Sequence, residues 1–347
     1  MPERPEVPPR RVHLRDAAFG AHPDADVHGA ARSADRRRRW LAGVALGGQG
    51  SYAAAATALA PLVKGHDRDP LFASLAASTL ASHHRQVGCH GPARDLDARA
   101  LALVLGAREA GETDPDDVDA AGAELDARLG LAADALGLGG LILARRLHAR
   151  AEEAFRERPL GWRGRLRLRW VAAELALAGD DPHRALNEAQ KGFHLLSTLD
   201  SLRHHLKTEI VLGVALNTLG SSEAVPLLRK VVARTWELRL ASLAWPSALV
   251  LATAVPVERE HWNGLARSAL SHVIAGCAAR EAELLPASPW LPSWLLRSGD
   301  RSATNEWTNF LTDKAPDRVK VRLEASDRDV ERHSAVGRGS RDDGPDL

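Results

Sequence analysis

His83, His84, Cys89 and His90 fall in one short stretch, and imidazole with thiolate is a donor set that zinc accepts. Their spacing matches no usual zinc pattern, and neither a second cysteine pair nor an HExxH helix completes a tetrahedral set. The group therefore reads as packing or capping histidines, and no metal or other cofactor is expected. Phosphate chemistry finds no firmer footing. The glycine-rich residues 43–48 are followed by Gln49 where a phosphate loop requires Lys, and the Gly137, Gly139, Gly140 cluster sits in a helical pattern rather than after a strand. The sequence holds no Gly-x-Ser-x-Gly elbow and no carboxylate pair placed to shift either pKa. The expectation is a protein without catalytic activity of its own.

Charge is concentrated between residues 145 and 169, where Arg145, Arg146, Arg150, Arg156, Arg158, Arg163, Arg165, Arg167 and Arg169 stand against Glu152, Glu153 and Glu157. Four of these arginines crowd the start of a helix through Trp170. The helix dipole there favours negative charge by about 0.3–1 kcal/mol per group, so local stability does not account for them. One reading is a solvated face with some i,i+4 pairs. The other is a basic stripe, with Arg145, Arg146, Arg150, Arg163, Arg165 and Arg167 as forked donors to an acidic peptide, a phosphorylated group or nucleic acid. Further on, Pro289-Trp290-Leu291-Pro292-Ser293-Trp294 is hard to make helical, and it offers Trp290 and Trp294 as an exposed docking loop. Trp236, Trp245 and Trp262 precede it, and buried core is the simpler reading for them.

The elements that would carry these groups are helices. At 347 residues, 45% apolar and 26% charged, the chain has the composition of a soluble globular protein. A net charge of +1 provides no global field to recruit nucleic acid or an anionic membrane. Two distant cysteines and the lack of an apolar run at the N-terminus point to a reducing cytoplasm, and the Arg-over-Lys, Ala-rich usage to a high-G+C bacterial coding bias. Residues 40–63 carry no charge and are long enough to span a bilayer. Gly47, Gly48, Gln49 and Gly50 break that run, and Pro61 interrupts it, so a helical hairpin is expected there and no membrane partner. Asp69-Pro70, Asp114-Pro115 and Asp181-Pro182 each place a capping carboxylate before a proline suited to the first helical turn. Gly91-Pro92 is a weaker version. Strand-like alternation is confined to residues 319–323.

A glycine followed by a small-residue helix recurs at Gly50, Gly88, Gly137, Gly179 and Gly220, spaced 38, 49, 42 and 41 residues apart. Each stands seven residues after a Gly or Ala (Gly43, Ala81, Gly130, Ala172, Gly213), as two helices packed closely around one turn require. Gly43, Gly50, Tyr52 and Ala55 match in order the small-residue signature of tetratricopeptide repeats. So do Leu80, Ala81, Gly88, His90 and Ala93; Leu129, Gly130, Ala133 and Gly137; Gly179 and Ala185; and Leu212, Gly213, Leu216, Gly220 and Ala224. The chain therefore resembles that family over about residues 37–235, with periods longer than the family's roughly 34. The resemblance implies an all-α fold of stacked antiparallel helical hairpins, a tetratricopeptide-like α-solenoid.

The expected divisions are a flexible tail at 1–35, tetratricopeptide-like repeats at 36–235, Trp-rich hairpins or a cap at 236–312 and a second flexible tail at 313–347. The first helix of each hairpin would line a concave face. In the family's register Arg85, Gln86, Asp134, Arg169, Lys207, Asn217 and Thr218 would contact a peptide there. The function this implies is that of a protein- or peptide-binding adaptor or regulator, with nucleic acid as the alternative partner and a helical enzyme with an unrecognised site as the third reading.

Overall fold

The computed structural model describes residues 13–65, 68–106 and 113–278, together with 282–283, 285, 288, 291 and 293–296. The described residues form fourteen α-helices with two short 3-10 turns and no strand. After α1 (Leu14–Phe19) come six antiparallel hairpins. They are α2 (Arg36–Gly48) with α3 (Tyr52–Lys64), α4 (Pro70–Gln86) with α5 (His90–Gly106), and α6 (Ala120–Gly137) with α7 (Leu141–Ala154). Next are α8 (Trp162–Ala178) with α9 (Pro182–Leu195), α10 (Leu202–Thr218) with α11 (Ala224–Glu237), and α12 (Ala241–Ala254) with α13 (Arg259–Ala275). A single turn, α14 (Ser293–Leu296), packs on α13.

Small residues set the helix crossings. A Cβ at Gly43 would lie 2.6 Å from Leu59, and one at Gly213 would lie 2.7 Å from Leu228, so glycine is what lets each inner helix approach its outer partner. Ala55, Ala93, Ala185 and Ala224 are buried on the facing helices. Chain reversal is carried by residues with positive φ at Gly50, Gly88, Gly139, Asp180 and Gly220. Two expected turn glycines are thus displaced. Gly137 ends α6 against the His90 ring, and Gly179 caps α8, while the left-handed residue is the next-but-one Gly139 or the following Asp180, a type that tolerates that region.

Asp35, Asp69, Asp119 and Asp181 cap α2, α4, α6 and α9, each accepting from the backbone N–H three residues on. Asp114-Pro115 does not start a helix. Asp114 instead accepts from the N–H groups of Asp116 and Val118, building a turn that delays the helix to Ala120. A bond between hairpins repeats as well: Trp40 on α2 donates to Thr79 on α4 at 3.0 Å, and Trp170 on α8 donates to Thr208 on α10 at 2.9 Å.

The stack closes on itself. Ala53 N–H donates to the Gly276 carbonyl at 2.7 Å, and Ser242 on α12 donates to the Gly48 carbonyl at 3.3 Å. Tyr52, Val87 and Cys89 from the first two hairpins share one core with Trp236, Trp245, Trp262 and Leu291, so the core runs across the expected 235/236 boundary.

The expectation of a flexible tail fails for residues 13–35. Phe19 of α1 packs at 5.8 Å from Trp40 and 6.4 Å from Trp162, and Arg15 pairs with Asp116 at 2.7 Å. Gln49 donates to the Pro23 and Ala25 carbonyls, holding the segment that follows. One buried aromatic and one ion pair anchor a helix too short to show periodicity. Residues 1–12, the candidate strand at 319–323 and the tail at 313–347 lie outside the described residues.

Candidate functional site

Inner helices α4, α6, α8, α10 and α12 enclose a cavity of about 710 Å3, inside the range of about 300–1,000 Å3 typical of ligand sites. Ser82, Arg85 and Gln86 come from the last turns of α4, and Leu129, Ala133 and Leu136 from the second half of α6. Arg167, Trp170, Glu174 and Leu177 come from α8, whereas Arg203, His204, Lys207 and Ile210 come from the first half of α10. Ser242, Leu243, Trp245 and Pro246 stand at the start of α12. The cavity therefore crosses the stack diagonally, from the end of α4 to the start of α12.

Its cations are mostly neutralised from behind. Arg85 donates to Asp97 and to Asp134, the latter at 3.1 Å, and both carboxylates are fully buried. Burial pushes the Asp97 carboxyl up to about 7, with Arg85 pulling it back and Asp134 adding to the rise. Arg163 and Arg167 share Asp126, Arg163 at 2.9 Å, and Lys207 pairs with Glu174 at 2.9 Å. His204 bonds Ser201 at 2.7 Å and stacks on Trp170 with ring centroids 5.7 Å apart. Its burial, reinforced by Arg203 and Arg163, holds its pKa well below the usual value and keeps the ring neutral. Arg203 differs from the other cations: among the described residues it donates only to the Ala18 carbonyl, at 3.1 Å, and its Nε has no partner.

Of the expected concave-face residues, Arg85, Gln86 and Lys207 line the cavity. Asp134 lies beneath it, wholly buried by its bond to Arg85. Arg169 turns to Glu188 on α9 at 2.8 Å instead. Asn217 and Thr218 miss the cavity, because its diagonal course meets α10 in the first half and they sit at the end; Thr218 bonds back to the Val214 carbonyl. Sequence reasoning missed Trp170, Arg203 and Trp245 as cavity residues.

The basic stripe does not form one surface. Arg163 is buried, with its guanidinium 4.7 Å from the Phe19 ring centroid, and Arg167 turns inward. Arg145, Arg146, Arg150 and Arg165 are exposed. Trp294 is no free docking residue either, since it packs half-buried on the C-terminal core with Arg267 over its ring at 5.6 Å. Trp290 lies outside the described residues.

The candidate metal group is dispersed: His83 stacks on Tyr52 with centroids 5.1 Å apart, His90 packs on Gly137, and Cys89 enters the core. Among the described residues no three His, Cys, Asp or Glu gather as ligands. No described helix is long and apolar enough to cross a membrane.

The fold is an all-α stack of helical hairpins with a cavity on its inner helices. No protein-family model matches the chain, and no curated protein matches it.

Proposed function

We propose that this chain is a non-catalytic, tetratricopeptide-like adaptor or regulatory protein of the bacterial cytoplasm that takes a short segment of a partner protein into its concave cavity. The cavity of about 710 Å3 on the inner helices carries this reading. Its walls are aliphatic and aromatic with a few charged groups, the make-up of a recognition site. A volume of about 710 Å3 fits a few residues and not a whole helix.

Ala133→Trp tests it by filling the cavity from α6. In pull-downs the variant, with unchanged melting, should lose the partner that the wild type retains; identical partner sets would sink the reading. The nucleic-acid alternative draws less support, because Arg163 and Arg167 are committed to Asp126. A linear fall of log affinity with log salt, with a slope of several phosphates, would restore it.

A further inference from the structure

Among the described residues, one cation of the cavity has no carboxylate beside it. Arg85 faces two carboxylates, Arg163 and Arg167 share a third, and Lys207 has Glu174. Arg203 has none among the described residues, although its Nε is shielded from solvent and it contributes to the cavity wall. Burial, with Arg163's charge adding, lowers its pKa to about 10, so the guanidinium keeps its charge without an anion beside it. A half-buried cation in that state gains from a charged hydrogen-bond acceptor. A second group points the same way. Trp245 is 9% exposed and lines the cavity, and among the described residues its Nε1–H has no acceptor. The cavity wall also carries the apolar Leu129, Leu136, Ile210 and Leu243.

We propose that the occupant is a short apolar peptide segment carrying one acidic side chain, whose carboxylate bonds Arg203 while its apolar residues pack between α6 and α12. This rests on the peptide-binding reading above and narrows it to a chemical class.

A phage-displayed library of random hexapeptides tests both, selected in parallel on wild type, Arg203→Gln, Arg203→Lys and Ala133→Trp, with melting checked for each. Wild type should select apolar peptides enriched in Asp or Glu by about tenfold, what one charged hydrogen bond is worth. Arg203→Gln should keep the apolar preference and lose the acidic one, and Arg203→Lys should keep both. Acid-free peptides from wild type, or acidic enrichment that survives in Arg203→Gln, would overturn the proposal while leaving the cavity as a peptide site. The same peptides from Ala133→Trp would overturn the cavity reading itself. An empty selection beside decanoate binding that depends on Arg203 would reassign the occupant to a free amphipathic carboxylate and overturn the peptide.

Discussion

Burial acts on single ionisable residues in opposite directions within one hairpin, α4 with α5. His83, enclosed between Tyr52 and Gly47, is pushed down to about 3, first by burial and then by neighbouring positive charge. The unfolded chain takes up a proton near 6.5 that folded His83 refuses, so this site loses stability as pH falls from about 6.5 toward 3. Asp97 is the mirror case. Its folded value of about 7 exceeds the ordinary carboxylate value, so its contribution is present at low pH and fades as pH rises through about 4 to 7. Melting temperature followed from pH 4 to 8 should show the alkaline part of that loss disappear in Asp97→Asn and the acid part shrink in His83→Phe. Asp126 makes a sharper test, because it serves buried Arg163 and Arg167 together. Asp126→Ala leaves a buried cation uncompensated and should cost about 3–5 kcal/mol in urea unfolding. Of the site residues, Arg85, Gln86 and Lys207 were legible from hairpin register. Arg203 and Trp245 were not, since only the diagonal course of the cavity brings the start of α10 and α12 to it.

Among the elements, the glycines divide into two kinds that sequence alone does not separate. Gly213 is required by space, its missing Cβ facing Leu228 at 2.7 Å, whereas Gly220 has open surroundings and a φ of +68°. Gly213→Val should therefore overpack α10 against α11 and cost about 1–3 kcal/mol. Gly220→Ala should cost about 1 kcal/mol through backbone conformation, and Gly220→Asn less, because Asn tolerates the left-handed region. Chemical denaturation of the three variants separates the causes. Five of the six hairpins were readable because a small residue recurs where their helices must cross, and Asp69 and Asp181 mark two of the helix starts. Helix α1 was not, because six residues carry less than two turns of pattern and its role depends on Phe19 reaching rings that come from three other helices.

At the scale of the whole molecule, the contact between first and last hairpins changes how the stack should unfold. An open solenoid has only nearest-neighbour interfaces and can melt from its ends. Here Ala53 bonds Gly276, Ser242 bonds the Gly48 carbonyl, and Tyr52 sits in the C-terminal core, so neither end is free to fray first. Unfolding should be one transition, with tryptophan fluorescence and far-UV circular dichroism coinciding. Gly276→Val drives a side chain into the Gly50 carbonyl and should separate the two curves.

That seam also fixes copy number. A linear array can gain or lose a hairpin and remain an array, with only its length altered. In a stack whose sixth hairpin must meet its first, a seventh would wedge the seam apart and the loss of one would leave a gap. The arithmetic of repeats is therefore set by geometry. Growth of this chain is confined to its loops and to whatever precedes α1 or follows α14.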